Sequence, residues 1–110
     1  MKVVNRIKKS GDFSLAINKG NSYRSPCFVI HVRKTENKHV RVGISASTKL
    51  GCAVVRNRIK RQVRSMCDSI IDYSKNSLDV VIIVRYKFLE RTFDENKSLL
   101  SDLLIKQVGL

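Results

Sequence analysis

Residues 78–84 read Leu-Asp-Val-Val-Ile-Ile-Val, a short and nearly unbroken apolar run. A strand with one solvated face alternates apolar and polar residues. A run with almost no alternation suits a central strand covered on both faces. Such a strand needs others beside it and helices over it. Two candidates lie upstream. Phe28, Ile30 and Val32 point one way in a period-two segment, and Val29, His31 and Arg33 the other. Val40, Val42 and Ile44 repeat the pattern against Arg41, Gly43 and Ser45. The intervening Lys34-Thr35-Glu36-Asn37-Lys38-His39 reads as a turn or short loop. An antiparallel hairpin of these two strands is therefore expected, apolar on one side and mostly polar on the other. A half-open sheet of this kind can present side chains to a ligand.

Three helical segments flank the strands. Ser10 is a plausible N-cap and Gly20 a plausible stop for a short helix with Phe13, Ala16 and Ile17 on one face. Residues 54–74 read as a long helix. Phe93 to Val108 is helical again, with Leu99, Leu100, Leu103 and Leu104 as its buried stripe and Asp94 and Glu95 favouring its start. The order helix, strands, helix, strand, helix gives an α+β fold, a sandwich of helices on one sheet. There is no repeat, low-complexity tract or linker, and 110 residues suit one domain spanning 1–110.

Composition narrows the function classes. No apolar run nears the roughly 20 residues of a membrane span, and no apolar stretch follows the first charges as in a secretory signal. A cytoplasmic location is the expectation. Cys27, Cys52 and Cys67 are odd in number and none sits at C-x-x-C spacing, so reduced thiols are expected rather than a zinc site or disulfides. The formal charge is +13 and one-sided. Residues 1–64 hold 16 Lys/Arg against 2 Asp/Glu, whereas residues 65–110 hold 6 against 7. Self-repulsion concentrated in one region is normally relieved by a polyanion: nucleic acid, an anionic membrane surface or an acidic protein.

The long helix favours nucleic acid. Projected at about 100° per residue, Ile59, Val63, Met66 and Ile70 collect on one side as ordinary core. Asn57, Lys60, Arg61 and Arg64 collect opposite, with Arg58 flanking the stripe and Arg56 opening the helix. Like charges at i, i+4, such as Lys60 and Arg64, destabilise a helix. Cations in its first half also oppose the macrodipole. A local inconsistency of this sort tends to mark function, and a phosphate backbone resolves both conflicts.

Residues 49–64, Lys-Leu-Gly-Cys-Ala-Val-Val-Arg-Asn-Arg-Ile-Lys-Arg-Gln-Val-Arg, closely resemble the signature of the bacterial ribonuclease P protein component. Asn5-Arg6-Ile7-Lys8-Lys9 with Asp12-Phe13 resembles that family's N-terminus. Arg41-Val42-Gly43-Ile44-Ser45 and the apolar run ending at Arg85 resemble two of its strands. The resemblance spans nearly the whole chain. It implies two layers, about three helices on a four-stranded mixed sheet with a left-handed β-α-β crossover. It implies the protein subunit of a ribonucleoprotein that removes the 5′ leader of precursor tRNA. The catalyst is then the RNA subunit, which mainly holds the Mg2+, and the protein carries no catalytic residue and no metal.

The resemblance also implies roles for residues. Lys49, Arg56, Asn57, Arg58, Lys60, Arg61 and Arg64 would bind RNA. Phe13, Ile17, His31, Lys60 and Arg64 would form a leader-binding cleft between the first helix and the sheet. Ile17 and His31 stand where the family often has aromatics, and Cys52 replaces its usual asparagine. The residues themselves fit a non-catalytic part: His31 and His39 are far apart in sequence, neither beside an acid, and no motif pairs a base with a nucleophile. A general RNA-binding or ribosomal protein of similar fold is the second reading. A DNA-binding helix-turn-helix is disfavoured, because strands rather than a tandem helix precede residue 54. The expected partners are the catalytic RNA and precursor tRNA, with no membrane and no DNA.

Overall fold

A computed structural model describes residues 1–110. Strand β4 (Leu78–Val84) lies inside a four-stranded sheet, as its two apolar faces require. The other strands are β1 (Asn21–Arg24), β2 (Phe28–Lys34) and β3 (Arg41–Ser45), and the order across the sheet is β1-β2-β4-β3. The helices are α1 (Ser10–Lys19), α2 (Ala53–Ile70) and α3 (Phe93–Ser101). The sheet is mixed, because β1 and β2 run antiparallel to their neighbours while β3 is parallel to β4. α2 carries the β3-α2-β4 crossover between adjacent parallel strands.

The expected β2–β3 hairpin does not form. β4 inserts between the two, pairing Ile30 with Ile82 on one side and Ile44 with Ile82 on the other. Alternation assigns each strand its faces but not its partner. Only an interior place covers both faces and both edges of β4, where Val80, Val81 and Ile82 are fully buried.

The main core lies between one sheet face and α2 with α3. Phe28, Ile30, Val42, Val80, Ile82 and Val84 meet Ile59, Val63, Met66, Leu100, Leu103 and Leu104 there. The helical stripe of α2 is thus core as expected, with Cys67 added to it and Ile70 at its margin. α1 lies over the opposite face, where Ala16, Ile7 and Val81 form a smaller cluster with Phe13 and Ile83 at its rim.

Local details depart from the sequence reading. Lys9, not Ser10, is the N-cap of α1, and it makes no side-chain cap. Its extended backbone already accepts the Asp12 and Phe13 N–H groups, so Ser10 falls inside the first turn. Gly20 does end α1, though not by a left-handed turn. A Cβ there would lie 2.5 Å from the carbonyl oxygens of Ala16 and Val32, where the chain passes straight into β1. α2 stops at Ile70 rather than 74. Asp72 Oδ1 accepts the Ser74 N–H and hydroxyl, a local turn that competes with the helix. The last helix is α only to Ser101 and then widens to a π-helix over Asp102–Gln107. β1 gave no apolar signal because Asn-Ser-Tyr-Arg is a polar edge strand. No helix is long and apolar enough to cross a membrane.

Candidate nucleic-acid interface

α2 begins at a tight approach. The chain turns through Thr48–Leu50, and Gly51 then takes φ 137°, a left-handed value that disfavours any side chain. A Cβ at Gly51 would also press on Val55 at 3.2 Å. Arg56 Nε donates to the Gly51 carbonyl at 3.2 Å, tying the first cation back to this turn. Cys52 is the N-cap residue, exposed and without a capping hydrogen bond. The Val55 and Val54 N–H groups face its sulfur and draw the thiol below its ordinary range.

From this start the helix presents Asn57, Arg58 and Arg61 to solvent, with Lys60, Arg64 and Arg56 half-buried and Lys49 exposed just upstream. None of these six cations is in an ion pair. The one nearby acid, Asp68, is taken by the Met1 amine at 2.5 Å and the Tyr73 hydroxyl at 2.8 Å. The crowding of positive charge inferred from the helical projection is therefore uncompensated within the folded chain.

A second surface lies on the α1 side of the sheet. The Phe13 ring rests on Gly43 of β3, and Ile17 is 40% exposed further along α1. His31 of β2 sits in the same row as Val81 and Gly43. Its Nδ1 is buried without a partner, and burial followed by Arg24 lowers its pKa, so the ring is held neutral. The next row of the same face, Val29, Ile83 and Ser45, is half-buried and ends at exposed Arg24. Phe13 and His31 thus share one face, with Ile17 on the helix above it. Lys60 and Arg64 belong to α2, which packs on the other face and beside β3, and no hydrogen bond or ion pair joins the two groups.

The family model of ribonuclease P matches residues 1–108. The chain is 41% identical over 101 residues to the ribonuclease P protein component of Mesoplasma florum, covering 91% of this chain and 92% of that one. It is 42% identical over 98 residues to that of Bacillus mycoides, covering 88% and 85%. The chain belongs to the ribonuclease P protein family. The fold agrees: the Staphylococcus aureus RNase P protein superposes with a TM-score of 0.83 at 35% identity, over 96% of this chain and 98% of that one. The Thermotoga maritima RNase P protein gives 0.79 at 30% identity, over 92% and 96%. The chain is the protein subunit of ribonuclease P, an RNA-based ribonuclease of tRNA processing.

Within this ribonuclease P protein, one cationic group escaped the sequence reading. Arg24, Arg85 and Lys87 line a concavity of about 490 Å³ with Ser25, Pro26 and Tyr86, the last 61% exposed. Arg85 Nη1 donates to the Ser25 carbonyl at 3.3 Å across it. Pairing of β2 with β4 brings these distant segments together. The near-neutral balance of residues 65–110 hid them, and an Arg-Tyr-Lys triplet directly after a strand was the only local signal. The largest concavity, about 730 Å³, lies elsewhere, between the N-terminal segment and the end of α2. Asp68 and Asp72 line it, which suits a phosphate poorly.

Proposed function

We propose that the cationic row of α2 docks on the catalytic RNA of ribonuclease P, and that the strip between α1 and the sheet takes the 5′ leader of precursor tRNA. The observation that carries this is the absence of any acidic partner for Lys49, Arg56, Arg58, Lys60, Arg61 and Arg64. Together with Asn57 they form the RNA-binding surface. Phe13, Ile17 and His31 form the floor and wall for the leader, which turns round the β3 edge to reach Lys60 and Arg64. Residues 1–110 act as one RNA-binding unit, in the cytoplasm, with neither membrane nor DNA as a partner.

The chain has no group of three His, Cys, Asp or Glu side chains that could hold a metal ion. Mg2+ keeps several water ligands and favours phosphate oxygens, and we assign that ion mainly to the RNA subunit. The protein's part is binding and orientation, with no catalytic residue of its own. A neutral imidazole at His31 offers a flat, uncharged ring on the same sheet face as Phe13, two strands away across Val81, suited to base stacking worth about 1–3 kcal/mol per base.

The test is reconstitution. Added to a bacterial catalytic RNA at low magnesium, the protein is expected to restore removal of the 5′ leader. In the same assembly, Phe13→Ala is expected to weaken leader-bearing precursor more than mature tRNA. No stimulation of cleavage would overturn the subunit's proposed docking, and equal loss for both ligands would overturn the leader strip.

A further inference from the structure

We propose that Asp12 and Arg41 form a clamp that sets α1 over the sheet, which makes Asp12 a positioning residue for leader recognition. The proposal rests on the leader reading above.

The clamp begins at Asp79, a carboxylate with 0% exposure on the central strand β4 and on the α1 side of the sheet. A buried charge needs a partner, and Arg41 stands directly beside it in the parallel register. Its Nε donates to Asp79 Oδ1 at 2.8 Å and its Nη2 to Oδ2 at 2.6 Å. Those two bonds fix the plane of the guanidinium and leave Nη1 facing α1. Nη1 donates to Asp12 Oδ2 at 3.5 Å. This is the one ion pair between α1 and the sheet.

The geometry couples it to Phe13. Asp12 precedes Phe13 in the first turn of α1, and Gly43, on which the ring rests, follows Arg41 by two residues on the same face of β3. The bridge and the ring therefore join the same two elements side by side. Composition points the same way. Asp12 is one of only two acids in residues 1–64, and a carboxylate beside a phosphate path would repel it unless neutralised. Pairing with Arg41 neutralises it and gives it a structural use. Arginine is required because its rigid fork reaches two carboxylates in fixed directions, which the single ammonium of lysine does not.

The test uses the reconstituted holoenzyme and the ratio of affinities for tRNA with and without the leader. Asp12→Asn leaves the Arg41–Asp79 pair intact. It is expected to lower the ratio by about two- to fivefold, the scale of a partly exposed ion pair, with binding of leaderless tRNA unchanged. Arg41→Lys keeps the charge and is expected to lower the ratio similarly. Asp12→Glu is expected to retain it. If Arg41→Lys keeps the wild-type ratio, Arg41 acts as a phosphate-binding cation and the clamp is wrong. Equal loss for both ligands from Asp12→Asn would reduce the pair to a folding contact and also overturn the clamp. Phe13→Ala serves as the reference: a normal ratio there sinks the leader reading itself. An altered ratio there with a normal one for Asp12→Asn sinks only the clamp.

Discussion

The Phe13 ring occupies the space a side chain at Gly43 would need: a Cβ on Gly43 would lie 2.5 Å from Cζ and 2.6 Å from Cε1 of the ring. The aromatic of α1 is thus seated on bare backbone of β3. Gly43→Ala is expected to push the ring outward and destabilise the fold by about 1–3 kcal/mol, the usual range for overpacking. Because the added methyl and the ring compete for one space, the same change made in a Phe13→Ala background should cost far less. Denaturant midpoints of the four proteins check this. Equal costs in both backgrounds would contradict the contact.

Lys60→Ala and Arg64→Ala are each expected to weaken assembly with the catalytic RNA. Each should reduce the slope of log affinity against log salt by about 1 or less per lost phosphate contact. A salt titration measures it, and an unchanged slope removes that residue from the interface.

The pH dependence of stability follows from His31. Its folded pKa lies below the ordinary 6.5, so the unfolded chain binds more protons there. Stability is then full above that value and falls as pH drops through and below it. Asp68, Asp72 and Glu95 have lowered pKa values and act only nearer their own unfolded values of 3.8 to 4.5. Denaturation between pH 7 and 5 should therefore show a decline that His31→Gln removes. A flat profile in the wild-type protein would contradict a half-buried ring held neutral.

The thiols are expected to separate by reactivity. Cys52 is exposed, with its pKa drawn down by the α2 N-terminus, whereas burial raises Cys27 and pushes Cys67 up to about 12. A thiol reagent at neutral pH should label Cys52 rapidly and leave the other two untouched until unfolding. Bound catalytic RNA should slow that labelling, since Cys52 adjoins Lys49 and Arg56.

The excess of 14 positive charges over residues 1–64 predicts stabilisation by polyvalent anions. Thermal melts with and without sulfate are expected to show a higher midpoint with it, and an equal midpoint would count against self-repulsion as a significant cost.

The central place of β4, the amphipathic division of α2 and the crowding of cations on one of its faces were legible from residue order alone, because each follows from the period of side chains along a single element. The motif across residues 49–64 carried the family. Strand partners did not follow, since Ile30 and Ile44 each display an apolar face without stating that Ile82 lies between them. Packing of the folded chain was needed to seat Phe13 on Gly43, to join Asp12 to Asp79 through Arg41, and to gather Arg24 with Arg85 and Lys87. Those relations link residues far apart in the chain, and what decides them is the burial of β4 on both faces, a property of the whole assembly rather than of any segment.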